Sequence, residues 1–358
     1  MIAGGVVVSD EGNLVVEMAE RIFADLADSQ AVIQSRSDAW KAPLWRALSD
    51  SGLPMAWVAA DGGSADLADG FGALRAAGRA AVALPLAETM LAGWLLAQAG
   101  IEPPNTAMTV APAGLRDRVI LGADGRLTGR ARRVPFARDV ESIAVLASGD
   151  RDLSIALVAV TDCMIEQGVN LAGDPADEVM FSAVHPLVVG AAPAGWNVRA
   201  LLLMGSVARC QQIAGALETM LDISTRYATE RIAFEKQISK YQAVQHNLAR
   251  LSSEVAAAVS AACSAADALA SGLDGDDVFL EVASAKIRCG EAAEKGAAIA
   301  HQVHGAIGYT SEHILHRLTL RALAWRDDFG VESYWAAELG NLIGRRGADE
   351  LWPLVSSR

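Results

Sequence analysis

Gln302-Val303-His304-Gly305-Ala306-Ile307-Gly308-Tyr309-Thr310 closes a long stretch of helical periodicity, and Arg231-Ile232-Ala233-Phe234-Glu235-Lys236-Gln237-Ile238 stands beside an earlier one. Gly305 and Gly308 end the helix that precedes them. Outward from these two segments, apolar residues recur at three- and four-residue spacing over 198–228, 242–270, 278–304 and 331–343. Four such helices on short links predict an antiparallel bundle.

Upstream the texture differs. The helical period is present over 11–26, 39–48 and 67–98, interrupted at Pro54, Gly62-Gly63 and Pro85. After Pro103-Pro104, short β-branched or aliphatic runs occupy 116–127, 143–147, 153–160 and 178–189, separated by Gly, Asp and Arg. The expected fold class is therefore α+β, mostly α. An N-terminal helical domain (1–105) precedes a small, antiparallel middle β domain (106–195) and a C-terminal antiparallel four-helix bundle (196–358).

Composition sets limits on function. Hydrophobic residues make up 52% and charged residues 20% of the 358, which is the make-up of a packed chain rather than a disordered one. A net charge of −13 argues against a nucleic-acid partner, which calls for a basic face. It leaves room for a phosphate-rich cofactor, which needs only a few local donors. Cys163, Cys210, Cys263 and Cys289 are scattered without C-x-x-C spacing, so neither a disulfide framework nor a thiolate metal site is expected. The first residues carry no basic n-region and run into Ser9-Asp10-Glu11, so cytoplasm is the expected compartment. The apolar stretch 80–99 is broken by Pro85 and Glu88 and flanked by Arg75 and Arg79; it reads as a buried helix, and no membrane partner is expected.

The three-part layout and the two motifs, in this order, resemble the acyl-CoA dehydrogenases, which oxidise the α,β carbon bond of acyl thioesters with FAD. Trp45-Arg46-Ala47-Leu48-Ser49-Asp50-Ser51-Gly52-Leu53 and Gly78-Arg79 leading to Leu84-Pro85-Leu86-Ala87-Glu88-Thr89 extend the likeness. The resemblance implies that Arg231, of an Arg-x-x-Phe motif, reaches the pyrophosphate of an FAD bound mainly by the neighbouring subunit, with Phe234 beside its adenosine half. A guanidinium suits that task because its planar fork meets phosphate oxygens bidentately. Gln242 corresponds to a family glutamine that helps hold the cofactor. Gln302-x-x-Gly305 supplies an amide and side-chain-free backbone where the pyrophosphate passes, although the family's second glycine is Ala306 here. Acyl-CoA as substrate and an electron-transfer flavoprotein as acceptor are implied as well. Without the family, Phe234 and Ile238 at i and i+4 read as core spacing, and Arg231 as a solvated helix-end charge.

Family chemistry also needs a carboxylate to take the α-proton while the flavin takes a hydride. The two positions that supply it correspond to Phe329 and Arg199 in this chain. Asp328 is the candidate for a relocated base, beside Asp327 and Arg326. The family's flavin loop in the β region is replaced by Met108-Thr109-Val110-Ala111-Pro112-Ala113-Gly114, and no Trp occurs in that region before Trp196. A retained half-site for a partner's flavin beside an eroded one of its own resembles the non-catalytic subunit of paired acyl-CoA dehydrogenases. Their heterotetramers act on bulky substrates such as steroid side-chain CoA esters. The alternatives are a self-sufficient homomer using Asp328 and a flavin-free scaffold or regulatory protein.

Other chemistries find little footing. His301-x-x-His304 and His313-x-x-His316 have helix-face spacing, but no Cys or acid pair lies nearby in sequence, so no metal site is expected. Neither a Gly-x-Ser-x-Gly elbow nor a Gly-x-Gly-x-x-Gly fingerprint is present.

Overall fold

The computed structural model describes residues 10–28, 32–33, 35, 37–58, 67–149, 152–272 and 275–356; the expected Gly62-Gly63 turn lies outside them. The N-terminal part holds α1 (Asp10–Leu26), α2 (Lys41–Asp50), α3 (Leu67–Ala80) and α4 (Leu86–Gln98). In α1 and α2 the apolar stripes turn inward through Ala19 and Phe23, and through Leu44 and Leu48. Helix α4 is buried on every side from Leu86 to Leu96, as the sequence led one to expect of the 80–99 stretch. Thr89 pins it to the first strand: its hydroxyl donates to the Pro85 carbonyl at 2.7 Å and accepts the Met108 N–H at 3.0 Å.

The strands are β1 (Met108–Ala111), β2 (Arg118–Leu121), β3 (Leu127–Pro135), β4 (Ser142–Ser148), β5 (Leu153–Ala159), β6 (Met164–Glu166), β7 (Ala176–Val184) and β8 (Val188–Ala191). They form one sheet in the order β6-β7-β3-β2-β4-β5-β8, with β1 beside β4. Two expectations need correction. The run 116–127 bends back on itself at Gly125, giving the β2–β3 hairpin, and the run 178–189 is broken around Pro186 into β7 and β8, which pair with different strands, β7 with β3 and β6 and β8 with β5. The sheet is also not wholly antiparallel: β1 and β2 both run parallel to β4, because the β2–β3 hairpin carries the chain back before β4 begins.

Strands β4 and β5 read as continuous apolar runs because each serves two cores. Ile143, Val145, Ala156 and Val158 point into a core internal to the sheet, with Val119, Leu127 and Phe181. Ala144, Leu146, Ile155 and Leu157 point the other way, into the core shared by the N-terminal helices and the bundle. Those helices therefore bury their apolar faces jointly rather than as separate bodies.

The bundle comprises α5 (Arg199–Glu230), α6 (Gln242–Ala270), α7 (Asp276–His304), α8 (Leu315–Asp327), α9 (Glu332–Arg346) and the short α10 (Leu351–Ser356). The fourth place beside α5 and α7 is filled by α8, while α9, the expected fourth helix, packs mainly on α7. Helix α8 is hard to see in sequence because its inner face carries Arg321, which is buried against Asp174 of the β6–β7 loop at 2.7 and 3.1 Å. Helix α5 is long and apolar enough to cross a membrane, but that apolar window is wholly buried inside the fold.

Close approach of α3 and α5 locks the two helical parts together. A Cβ on Gly78 would stand 2.2 Å from the Gln212 carbonyl oxygen, and one on Gly215 would stand 2.0 Å from that of Arg75. Only glycine fits at either place. Across the same seam Glu218 accepts hydrogen bonds from Arg75 and, at 2.8 Å, from Arg79. Burial pushes the Glu218 carboxyl up, but these hydrogen bonds outweigh it and hold the group below its ordinary value.

Candidate functional site

Segments 231–238 and 302–310 both lie at one end of the bundle. Helix α5 stops at Glu230, and Arg231, in extended conformation, donates its N–H to the Tyr227 carbonyl at 2.9 Å. The chain then turns through a β-hairpin, in which Ile232–Ala233 (β9) pairs antiparallel with Lys236–Gln237 (β10). Its turn is Phe234-Glu235, with φ of 51° and 69°. Two successive left-handed residues make the hairpin turn that Asn-Gly normally occupies, and Phe and Glu hold it at a conformational cost. Ile238 N–H closes the hairpin on the Arg231 carbonyl at 2.9 Å, and the Tyr241 hydroxyl donates to the Ala233 carbonyl at 3.0 Å. Phe234 is 90% exposed, so the reading of Phe234 and Ile238 as core spacing does not hold.

Helix α7 reaches the same place from the other side. Its last residue, His304, stacks on Tyr227 with ring centroids 4.6 Å apart. Tyr227 is thus bonded to Arg231 through its carbonyl and to the Gly305 turn through its ring. Gly305 has φ 66° and ψ −144°, and a Cβ there would meet nothing within 4 Å. Its glycine is called for by backbone conformation on a face that is open. Helices α6 and α7 are antiparallel and equally long, so Gln242, the first residue of α6, lies at the same end as Gln302. Arg231, Phe234, Gln242, Gln302 and Gly305 are all exposed. The side chains of Arg231, Gln242 and Gln302 have no hydrogen-bond or ion-pair partner among the described residues. Three polar side chains without protein partners, at the same end as a bare, positive-φ backbone turn, suit the diphosphate of a dinucleotide.

The histidines behind this end are engaged with protein groups. His304 Nδ1 lies 2.9 Å from the Ala300 carbonyl oxygen, His301 Nε2 lies 3.0 Å from Thr319 Oγ1, and the His301 ring stacks on Tyr309 at 4.0 Å. His313 Nδ1 accepts the Leu315 N–H at 3.2 Å. Burial lowers all three pKa values, helped at His301 and His313 by the neighbouring histidines, so the rings are neutral near pH 7. Among the described residues no group of His, Cys, Asp and Glu is placed to hold a metal ion.

The position expected to carry a base lies elsewhere, where the loop after α8 meets the sheet. Phe329 stands there at φ 53°, 1% exposed, its ring against Gly205 of α5. Its carbonyl accepts the Ser206 hydroxyl and the Trp335 indole N–H, both at 3.2 Å. The α5 residues facing this loop are therefore Gly205, Ser206 and Arg209. Arg199 is not among them: it pairs with Glu338 of α9 at 2.6 Å.

Asp328 belongs to a buried charge network that sequence reasoning missed. Arg209, 3% exposed, donates to Asp328 at 3.0 Å, to Glu88 at 2.6 Å and to Gln212 at 2.6 Å. Burial pushes the Glu88 carboxyl up, and the charge of Arg209 opposes that shift without cancelling it. The second oxygen of Asp328 faces Arg133 at 3.9 Å. Both oxygens of Asp328 thus face guanidinium groups, which leaves its carboxylate poorly placed to take a proton from carbon. Over this loop lies a cleft of about 350 Å³, bounded by Ala113, Leu115, Arg116, Arg133, Phe329 and Val331 among others.

Comparison with known proteins bears on the family and the fold. The family model described as acyl-CoA dehydrogenase, C-terminal domain, matches residues 194–327. The chain is 28% identical to acyl-CoA dehydrogenase IpdE2 of Mycobacterium tuberculosis (strain ATCC 25618 / H37Rv) over 284 residues, covering 78% of this chain and 80% of that one. Its fold superposes on the crystal structure of the ChsE4-ChsE5 complex from Mycobacterium tuberculosis with a TM-score of 0.82, at 21% identity over 96% of this chain and 99% of that one. A TM-score of 0.82 is also found with the steroid ACAD Tcur3481-Tcur3483 (G363A variant), at 23% identity over 94% of this chain and 98% of that one.

Proposed function

The chain belongs to the acyl-CoA dehydrogenase family, and from that premise we propose that it is a subunit of an FAD-dependent acyl-CoA dehydrogenase that lends its bundle end to a flavin seated mainly on a homologous partner chain. One observation carries the reading. Arg231, Phe234, Gln242, Gln302 and Gly305 all lie, exposed, at one end of the bundle, while the place of the base is filled by buried Phe329.

In this assignment Arg231 holds the cofactor pyrophosphate through its guanidinium fork, and Gln242 and Gln302 donate amide N–H groups to it. Gly305 lets the diphosphate approach the backbone, and Phe234 packs against the adenosine half from the tip of its hairpin. FAD, when bound, supplies the acceptor for hydride from the β carbon of the acyl thioester, and an electron-transfer flavoprotein then takes the electrons. The carboxylate that removes the α-proton comes from the partner chain, because Asp328 is engaged by Arg209. A bulky, steroid-type acyl group as substrate is supported by the fold shared with a steroid acyl-CoA dehydrogenase.

Flavin stoichiometry tests the proposal. The chain co-expressed with its genomic neighbour should purify as a mixed oligomer with one flavin per two chains, and the chain alone should bind little flavin and show no turnover. One flavin per chain with full activity in the lone protein would overturn it in favour of the homomer. A preparation that stays colourless with partner and FAD present would favour a scaffold.

A further inference from the structure

Two histidines lie behind the Gly305 turn, and the hydrogen bonds of the fold fix which nitrogen of each carries the proton. His304 donates from Nδ1 to the Ala300 carbonyl at 2.9 Å, a group that can only accept, so its Nε2 is a bare lone pair. Thr319 commits its single hydroxyl proton to the Leu315 carbonyl at 3.0 Å; His301 therefore donates to it from Nε2, and His301 Nδ1 is bare. Both bare nitrogens are buried and have no hydrogen-bond partner among the described residues. A neutral ring tolerates this. A proton arriving at either nitrogen would make a buried cation without an acceptor.

Among the described residues nothing around the two rings compensates such a charge. Helix α5 brings Tyr227 against His304, the turn Gly305–Tyr309 brings Tyr309 against His301, and the ring of His313 stands 4.7 Å from that of His304. His316 of α8 and Arg226 of α5 are the other basic groups of the cluster, and no carboxylate acts on His301 or His304. Burial, and at His301 the neighbouring histidines, lower both pKa values. A histidine whose pKa is lowered in the closed turn binds protons more readily once the turn opens. The closed form is therefore fully favoured above the ordinary imidazole value of ~6.5, and acid favours opening as pH falls through it.

The bundle end assigned to the flavin rests on both rings. A Cβ on Gly308 would stand 3.1 Å from His301 Nδ1 and 3.2 Å from His304 Cβ, so the turn lies directly on them. Tyr309 stacks on His301 at 4.0 Å, and His304 stacks on Tyr227, whose carbonyl holds the Arg231 N–H. From this geometry we propose that His301 and His304 are positioning residues that hold Gly305 and Arg231 for the flavin only as neutral rings, so that acid opens this end of the bundle and releases the cofactor. A proton taken from solvent at His304 Nε2 or His301 Nδ1 drives that ring towards water, and the turn stacked on it moves with it. This regulation belongs to the same site and rests on the subunit reading.

Release of FAD from the mixed oligomer, followed by its fluorescence at pH 7.5 and pH 5.5, tests the proposal. The dissociation constant should rise about tenfold or more between the two, the effect of one imidazole that titrates at ~6.5 in the open form and is kept neutral in the closed one. His301→Gln with His304→Phe cannot titrate and keeps a ring on Tyr227. Whatever its affinity at pH 7.5, the ratio between the two pH values should drop below about threefold. Two measurements on the full chain alone stand if that variant does not assemble. Nitrogen NMR should find His304 protonated at Nδ1 and His301 at Nε2, and amide exchange over 305–313, corrected for its intrinsic pH dependence, should quicken at pH 5.5. Equal FAD retention at both pH values, an undiminished ratio in the assembled variant, the opposite tautomers, or equal protection at both pH values would each overturn the proposal. The subunit reading fails differently, by a mixed oligomer that holds no FAD at pH 7.5; the exchange experiment then still decides whether acid opens the turn.

Discussion

The two regions that bear on flavin chemistry are built in opposite ways. At the bundle end, charged and amide groups stand exposed and without protein partners, and the Phe234 hairpin tip is held in left-handed backbone with its ring in solvent. Around Asp328 the groups are paired within the chain, one oxygen of Glu88 excepted: Arg209 bonds two carboxylates and an amide, and Phe329 fills the space against Gly205. An exposed aromatic ring on a strained turn is a cost that a lone chain gains nothing from, whereas a paired interior network specifies its own fold. The difference is the one that the proposed role, completing a site on another chain rather than one of its own, calls for.

Removing Arg209 should break the closed region most severely. Arg209→Ala leaves Glu88 buried without a cation and Asp328 with only the 3.9 Å approach of Arg133, a change that costs about 3–5 kcal/mol. Denaturant unfolding should show it, and a triple variant with Glu88→Gln and Asp328→Asn should recover much of the loss. Arg231→Ala should behave in the reverse sense. Stability should stay within about 0.5 kcal/mol, because a surface side chain without partners is removed. Flavin affinity of the mixed oligomer should fall by about ten- to a hundredfold, the worth of one charge-assisted hydrogen bond. Equal effects of the two substitutions on stability would erase the contrast between the regions.

How much of this was legible in the sequence depends on the range of the interactions. Helix 242–270 was readable to the residue because its apolar repeat is local and uninterrupted. The bundle-end residues were readable because two short motifs, each local, recur in a fixed order. The hairpin between them was not, since Phe234-Glu235 carries none of the Asn or Gly that marks such a turn. The Arg209 network was invisible for a different reason: its partners Glu88 and Asp328 lie 121 and 119 residues away in the chain. Glu88 read as an interruption of an apolar stretch, and its burial against Arg209 is a tertiary fact. Helix α8 was obscured in the same way by Arg321, whose partner Asp174 is 147 residues distant.

Asp328→Asn sharpens the comparison from the catalytic side. Loss of a general base lowers turnover by roughly 10²- to 10⁴-fold. If Asp328 serves Arg209 instead, steady-state turnover of the mixed oligomer should change less than about tenfold while thermal stability falls. A collapse of turnover with stability and flavin content intact would make Asp328 the base and return the homomeric reading to first place.

The smallest effect is also the most specific to the open region. Phe234→Gly removes an exposed ring and gives the hairpin turn a residue that adopts φ near 51° freely. Relief of the left-handed strain is worth about 1–3 kcal/mol, and the extra backbone entropy of glycine in the unfolded chain takes back about 0.5–1 of it. The isolated chain should therefore unfold at the same or slightly higher denaturant concentration. The flavin of the mixed oligomer should dissociate faster, because the ring's proposed contact with the adenosine half of the cofactor is gone, and sedimentation should show the association of the two chains weakened with it. A substitution that strengthens the monomer and weakens the assembly identifies strain held in the free chain for the sake of an interface; weakening of both would mean that Phe234 packs within its own chain after all.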